Sequence, residues 1–425
     1  MNSRDNLTTT NQPIGKLYIR RRTNTEILTW VIALWPFLVR LLTDVMPLPG
    51  AIKYVADGLL VFALVLVFAQ RRLVVKKQVL PCLKLIVFFF AYTLLGNVLN
   101  FQSPFYYLWG LRNNFRFYVA FFLYITLVNE YDANRWLKLL DILFWLNAIV
   151  TIVQFFGFGV FGDNLGGILG VTGGSNGYTL IFFIIVISKS LLSAFDGQEN
   201  GALCAAKCGV SIFVAAMAEM KFYFVVFVVI MVAAAVLTKF SAKKCLMFVA
   251  CGIALVGGAS LLTSWFRSEG IFSFQSLWEL ATKANYASQT DINRLSAIPT
   301  LSKMFLPGLH NKLVGLGLGN CDTSAYAICN TPFAVTYEYL HYNWFSAPMM
   351  FIETGYIGLL MYFGFFGIVL RVAVRQKKAG KGNMLLNQLA IIVAAMCMVL
   401  SFYNSSMRIE AAYMAYFVLA MPFLV

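Results

Sequence analysis

The stretch YEYLHYNWFSAPMMFIETGYIGLL, residues 337–360, joins the one long polar segment of this chain to an apolar run. The polar segment extends from about residue 264 to 345, whereas apolar segments alternate with short connections elsewhere. Binding and catalytic residues are commonly carried on loops that a rigid scaffold positions. The sequence therefore predicts that residues 264–345 carry the site and that the surrounding apolar runs form the scaffold.

The composition predicts a protein whose solvent is lipid. The chain has 425 residues, of which 60% are hydrophobic and only 12% charged, and its mean hydropathy is +0.75. Runs of roughly 17–25 apolar residues suit helices that cross a hydrocarbon core, and continuous runs are unlike the alternating strands of a barrel. We expect an all-α polytopic membrane protein with about twelve transmembrane helices. The predicted spans are 27–43, 54–70, 79–98, 115–129, 137–157, 177–195, 203–218, 222–238, 245–263, 346–371, 384–402 and 409–425.

The net charge of +15 is explained by topology and not by a nucleic-acid partner. With twelve spans, every basic cluster falls on the cytoplasmic face, as the positive-inside rule requires. Residues 1–26 are then a cytoplasmic segment, residues 27–425 form a single transmembrane domain, and both termini lie inside. The large loop 264–345, between helices 9 and 10, lies outside the cytoplasm. The basic clusters are found in residues 16–22, 71–77, 239–244 and 371–381.

Five basic residues face outward near the predicted lipid boundary, and three of them, Arg112, Arg116 and Lys221, run against this charge bias because they lie in short external connections. Positive charges in external loops tend to have a function, which is often to pair with an anion. A lipid-linked pyrophosphate at the outer leaflet is such an anion, and guanidinium groups bind its oxygens in bidentate fashion. Contact with lipid headgroups, or pairing with a nearby acid, remains the alternative for each. The residues are Arg112, Arg116, Lys221, Arg267 and Arg294.

Three further ionisable residues lie near the end of the polar segment. His341 could accept a proton from a sugar hydroxyl, or it could simply cap the next helix. Glu338, three residues earlier, could set the tautomer of His341 or act as the base itself. Glu353 lies inside the tenth span, where a carboxylate is costly, and we expect it to pair with a basic residue of another helix. His310, in a Pro- and Gly-containing context, is expected to be solvated.

No metal or cofactor site is expected. Cys204 and Cys208 are four residues apart, but no histidine or carboxylate accompanies them. The Gly-rich segment 162–177 lacks the lysine of a phosphate-binding loop. Cys321 and Cys329 lie in the predicted external loop, where they could pair or remain free.

At this point the pattern resembles the bacterial O-antigen polymerase and O-antigen ligase superfamily. The resemblance covers about 110 contiguous residues and the predicted topology. It depends on NRLSAIPTLSKMFLPG with Arg294, VGLGLGN at 314–320, HYNWF with His341 and Asn343, and ETGYIG with Glu353. Three features depart from that pattern. Tyr342 separates the usual His-Asn pair, Lys221 replaces an arginine between spans seven and eight, and the entry to the sixth span lacks the Arg and Pro-Asn that many members show.

The resemblance implies a metal-independent, cofactor-free membrane glycosyltransferase of the GT-C type in the inner membrane. It would transfer a glycan from undecaprenyl pyrophosphate to the acceptor sugar of another lipid-linked repeat unit, facing the periplasm, in lipopolysaccharide biosynthesis. The alternatives are an O-antigen ligase, with lipid A core as acceptor, and a polysaccharide or lipid flippase or transporter.

The resemblance also implies roles and partners. The catalytic residues would be His341, Arg294 and Glu338, with Asn343 and Glu353 as supporting residues. The pyrophosphate would be bound by Lys221, Arg112, Arg116 and Arg267. The partners would be the undecaprenyl-pyrophosphate-linked oligosaccharide, membrane lipid, a chain-length regulator and a flippase, with no nucleic acid.

Overall fold

The protein is built from helices throughout the residues that the computed structural model describes, which are 24–46, 48–70, 76–239, 242–266, 291–324 and 326–424. Within those residues no strand is formed, so the all-α prediction is confirmed for them. The helices are α1 Asn24–Arg40, α2 Val55–Ala69, α3 Leu80–Leu99, α4 Pro104–Leu127, α5 Glu130–Phe158, α6 Ser175–Phe195, α7 Gly201–Met217, α8 Lys221–Leu237, α9 Ala242–Phe266, α10 Ala297–Phe305, α11 Leu309–Val314, α12 Pro332–Tyr337, α13 Ser346–Ala379, α14 Met384–Tyr403 and α15 Ala412–Ala420.

Eight helical segments of the described chain are long and apolar enough to cross a membrane. They indicate a membrane protein, while the predicted count of twelve spans, the orientation and the place of the termini stay predictions. Three further apolar helices are shorter, at Gly201–Met217, Lys221–Leu237 and Ala412–Phe423. The eight are Glu26–Val45, Gly50–Ala69, Leu80–Leu99, Glu130–Phe158, Ser175–Phe195, Phe248–Trp265, Ser346–Ala379 and Met384–Tyr403.

The burial pattern separates a central helix from peripheral ones. In α6, 89% of the most apolar stretch is buried within the protein, against 22% for Gly50–Ala69. The exposed face of the second segment carries Phe62, Val65 and Phe68, each more than half exposed. A surface with many exposed large apolar side chains is typical of one that lipid or another protein covers. The outer helices therefore present a lipid-compatible surface.

The two ends of the helix bundle differ in chemistry. At one end Gln376 donates to Gln78 (2.7 Å) and the Lys76 ammonium donates to the Phe423 carbonyl (3.0 Å). Two of the predicted cytoplasmic basic clusters, 71–77 and 371–381, contribute residues to this end. The opposite end, which we call the loop end, gathers residues 100–104, 291–345 and 404–411. There the amide of Ser346 donates a hydrogen bond to the carbonyl of Asn404 (3.0 Å).

Helix α13 is broken at Gly355, which has φ +66°. A side chain at this position would clash with the carbonyl of Leu313. The break frees carbonyls of the preceding half-helix, and the glycine-rich segment 314–320 satisfies two of them. Leu316 and Gly317 donate their amides to the carbonyls of residues 352 and 353, at 2.9 and 3.0 Å. Backbone groups freed at membrane depth must find protein partners, and this segment provides them.

Helix α4 begins earlier than the sequence predicted. Ser103 caps it by accepting a hydrogen bond from the amide of Phe105 (3.3 Å), and Pro104 occupies a first-turn position. Both are favoured at helix starts. The helix therefore includes residues 104–114, which the predicted span at 115–129 leaves out. This extension positions Arg112 at the loop end.

Candidate functional site

A cavity of about 490 Å³ opens at the loop end of the bundle. Its walls come from the start of the second helical segment, from α4, from residues 322–324, and from the connection before α15, and Glu338 and Asn343 complete them. These parts are far apart in the sequence, and polar side chains dominate the lining. Of the residues predicted as a site, Arg112, Arg116, Glu338 and Asn343 line this cavity.

Arg112 and Arg116, one turn apart on α4, are both paired with carboxylates. Arg112 binds Asp57 through two nitrogens, Nη2 at 2.6 Å and Nε at 2.7 Å. Arg116 pairs with Glu410 at 3.1 Å and with Asp57 at 3.6 Å. Pairing with an acid is the alternative that the sequence left open for these arginines, and it is what the structure contains.

Glu410 is the most enclosed carboxylate of this group, with 6% of the residue exposed. It also accepts a hydrogen bond from the Tyr178 hydroxyl at 2.8 Å. Burial alone opposes ionisation, but Arg116 and the Tyr178 hydroxyl together outweigh it and lower the pKa of Glu410. The carboxylate is therefore ionised at neutral pH and stabilises the Arg116 guanidinium beside the cavity.

A third arginine–carboxylate pair, Arg408 with Asp322, also lines the cavity. Arg408 Nη2 donates to Asp322 Oδ2 at 2.7 Å, and Asn113 Nδ2 donates to the same oxygen at 2.6 Å. Asn343 lies beside them and donates to the Thr323 hydroxyl at 2.9 Å. This part of the cavity lining therefore joins α4, the polar segment and the connection before α15.

His341 is oriented by Asp291, and Glu338 does not set its tautomer. Its Nδ1 lies 2.7 Å from Asp291 Oδ1, and its ring stacks on Trp344 with centroids 3.9 Å apart. Because an ionised carboxylate can only accept, Nδ1 carries the proton and Nε2 keeps its lone pair. His341 has φ +52°, so residues 338–341 do not form one helical face. The Glu338 side chain instead lines the cavity.

Arg294 contacts the Tyr403 ring, and Phe222, the sequence neighbour of Lys221, stacks on the same ring. Arg294 Nε donates to the Tyr403 carbonyl (3.2 Å), and its guanidinium lies 4.4 Å from the ring centroid. The Phe222 and Tyr403 ring centroids are 3.9 Å apart. Lys221 precedes Phe222 and pairs with Glu219 at 2.8 Å, with about a third of each side chain exposed. The predicted role of Arg267 falls outside the described residues.

Glu353 has a different partner from the one predicted. It was expected to pair with a basic residue of another helix, but its Oε1 accepts from the amides of Gly319 (3.0 Å) and Cys321 (3.2 Å). A side chain on Gly319 would clash with the Tyr106 carbonyl. Glu353 therefore fixes the glycine-rich segment between α4 and the broken α13, and it acts on the cavity only through that scaffold.

The cysteines of the polar segment are free. Cys321 and Cys329 are buried thiols and do not form the disulfide that the sequence left open. Burial raises the pKa of the Cys321 thiol well above its usual range. Within the described residues no group of three or more histidine, cysteine or acidic side chains is arranged to hold a metal ion.

Four charged residues of this region were not selected from the sequence, and two of them carry a signal. Arg408 lies in a short connection on the predicted outer side, as Arg112 does. Asp57 is a carboxylate within an apolar run, which is itself a reason for attention. Asp322 and Glu410 carry no local signal, because their role depends on arginines distant in sequence.

The fold and the cavity define an all-helical membrane protein with a polar, charge-paired cavity at one end. No protein-family model matches the chain, and no curated protein matches its sequence.

Proposed function

We propose that this protein is a membrane glycosyltransferase, a polysaccharide polymerase that joins undecaprenyl-pyrophosphate-linked repeat units on the outer face of the inner membrane. The observation that carries the proposal is the Asp291–His341 pair, which leaves the imidazole Nε2 free to act as a base. His341 is two residues from Asn343, which lines the polar cavity. The stack of His341 on Trp344 supports it further, because it restrains the imidazole ring.

In the proposed reaction, a hydroxyl of the acceptor sugar attacks the anomeric carbon of the donor glycan. His341 Nε2 takes the hydroxyl proton while the bond from the anomeric carbon to the pyrophosphate oxygen breaks. Undecaprenyl pyrophosphate leaves as an anion. Arg294 and Lys221 would stabilise its charge, and the partly exposed Lys221 can exchange Glu219 for a phosphate oxygen.

The test is polymerisation by the purified full-length protein in lipid nanodiscs. The substrate is the lipid-linked repeat unit extracted from cells of the source organism that lack this protein, and products are sized by gel electrophoresis. We expect His341→Gln to slow chain growth by about 10²–10⁴-fold, the usual contribution of a general base. Arg294→Ala should slow growth as well, since it removes a charge near the leaving group.

Matched controls use residues of the same segment. His310 and Lys303 are exposed, so His310→Gln and Lys303→Ala should retain wild-type rates. Full activity of both His341→Gln and Arg294→Ala would contradict the assignment of these residues.

The alternatives give different products. Transfer of glycan only when lipid A core is supplied would identify a ligase, which uses the same step on another acceptor. Movement of the lipid-linked unit across the bilayer without a new glycosidic bond would identify a flippase.

A further inference from the structure

The cavity at the loop end is close to electrically neutral, although it contains three arginines. Each guanidinium is within 3.1 Å of a carboxylate oxygen, as Arg112 is with Asp57, Arg116 with Glu410, and Arg408 with Asp322. Two further charges of opposite sign line it, Lys53 and Glu338. A cation paired in this way attracts a second anion much less strongly, because the carboxylate already compensates its charge. The cavity is therefore a poor site for a pyrophosphate.

Several polar atoms of the lining have no partner within the described residues. They are the Asn343 amide oxygen and the Nε atoms of Arg116 and Arg408, all buried. The Glu338 carboxylate is exposed and likewise makes no hydrogen bond or ion pair to a described residue. Buried polar groups without partners are rare and call for a ligand or water. This set contains both donors and acceptors, which is what hydroxyl groups require of a binding site.

Aromatic rings line the same cavity. Trp109 and Tyr54 both border it, with ring centroids 5.9 Å apart, and the Arg112 guanidinium lies 4.5 Å from the Tyr54 ring. The cavity volume, about 490 Å³, falls in the range of about 300–1,000 Å³ that is usual for small-molecule sites. It is large enough for a sugar ring with its hydroxyl groups.

We propose that this cavity is a subsite for an uncharged sugar ring of the glycan, with Asn343, Glu338 and Arg408 as its hydrogen-bonding residues, and that the pyrophosphate binds elsewhere. The proposal deepens the glycosyltransferase function above and rests on it for the identity of the glycan. A ring hydroxyl can donate to the exposed Glu338 carboxylate, and it can bond to Asn343 Oδ1 or Arg408 Nε when those buried atoms turn towards the cavity. A pyrophosphate can only accept, and it would be repelled by Glu338.

The first experiment measures binding without turnover. The full-length protein in nanodiscs is titrated with the free repeat-unit oligosaccharide, released from its lipid by mild acid, and separately with inorganic pyrophosphate. In Asn343→Leu we expect the dissociation constant for the oligosaccharide to rise about tenfold or more, since a buried polar partner is lost. The constant for pyrophosphate should stay within twofold. Asn311→Leu, outside the cavity, is the matched control.

A second measurement avoids dependence on a destabilising substitution. Ser324 lines the cavity, so Ser324→Cys is labelled with a maleimide in the presence of either probe. The oligosaccharide should slow labelling at least fivefold and pyrophosphate should not. Lys303→Cys, on the exposed face of α10, should be labelled at the same rate with or without either probe.

The outcomes separate this subsite from the proposed function. Protection of Ser324→Cys by pyrophosphate, or none by the oligosaccharide, overturns the subsite even if chains still grow. Protection by the oligosaccharide with no chain growth under any condition retains the subsite and overturns the polymerase.

Discussion

At the scale of single residues, the Asp291–His341 pair is the feature most directly open to test. Asp291 is buried and holds the Nδ1 proton of His341, so Asp291→Asn should weaken control of the tautomer while it preserves shape. We expect chain growth to slow by up to about 10⁴-fold, because the imidazole is then held in the wrong tautomer. The measurement is the initial rate of polymerisation across a range of pH.

A purely structural role for Asp291 predicts a different result. In that case Asp291→Asn would lower thermal stability, and it would lower the polymerisation rate by the same factor at every pH. We instead expect the pH profile of the variant to change shape, because a neutral amide replaces the carboxylate beside the base. An unchanged profile would count against the positioning role.

Glu410 provides a prediction about stability and pH. Its pKa is lowered in the folded protein, so the unfolded chain binds more protons and Glu410 stabilises the fold above its ordinary pKa of about 4.3. Glu410→Gln should destabilise the protein at neutral pH by about 3–5 kcal/mol, because Arg116 is left buried without its counter-ion. As the pH falls from about 4.3 towards the lowered pKa of Glu410 in the folded protein, the difference in the free energy of unfolding between Glu410→Gln and wild type should shrink.

The measurement for Glu410 is the denaturation midpoint in nanodiscs from neutral pH downwards. A double variant, Arg116→Met with Glu410→Met, is the matched control, and it should be less destabilised than Glu410→Gln because no unpaired charge remains. If the stability difference between Glu410→Gln and wild type instead widens as the pH falls, the pKa of Glu410 is not lowered by folding.

Single residues also show what a sequence can and cannot predict. His341, Arg294 and Glu338 were selected because rare or charged residue types stand out in an apolar chain. Asp291 was not selected as the partner of His341, because 50 residues separate them and only the fold brings them together. Pairing between distant charges depends on tertiary geometry, which residue type and local spacing do not encode.

At the scale of elements, the break in α13 is the feature that positions the loop end. Gly355 has φ +66° and no room for a side chain, whereas Gly367 in the same helix has open space around it. Gly355→Ala should lower the midpoint of thermal denaturation, because the helix can no longer accommodate residues 313–317. Gly367→Ala should be neutral or stabilise by up to about 1 kcal/mol, as alanine favours helix.

The measurement for α13 is thermal denaturation of both variants under identical conditions. Equal stability of the two would mean that the break is not required. The sequence singles out ETGYIG and the glycine-rich segment 314–320 separately. It does not show that the glycine-rich segment hydrogen-bonds to the carbonyls that the break in α13 leaves free. The hydrogen bonds from Leu316 and Gly317 to residues 352 and 353 join them.

Element boundaries were predicted well where hydrophobicity alone decides them and poorly where polar residues are buried. The spans predicted at 79–98 and 384–402 agree with α3 and α14 to within one residue at each end. Helix α4 was predicted eleven residues too short at its start, because Arg112 and Asn113 look solvent-exposed in sequence. Both are in fact satisfied by partners, Asp57 and Asp322.

At the scale of the whole molecule, the separation of the two ends links charge distribution to the proposed site. The basic clusters around Lys76 and Gln376 lie at one end, and the cavity lies at the other. If the positive-inside rule applies, the cavity faces outward, where a lipid-linked glycan would be polymerised. The orientation of the cavity in the membrane is therefore the property on which the proposed function depends most.

Accessible cysteines test that orientation in intact cells. Glu338→Cys at the cavity should react with a membrane-impermeant maleimide added outside once the outer membrane is permeable. Lys378→Cys, exposed at the opposite end, should react only after the inner membrane is also opened. The native cysteines that the structure describes are buried, and the wild-type protein measures the background for all eight in the sequence. Labelling of Lys378→Cys from outside with protection of Glu338→Cys would place the cavity in the cytoplasm and exclude polymerisation at the outer face.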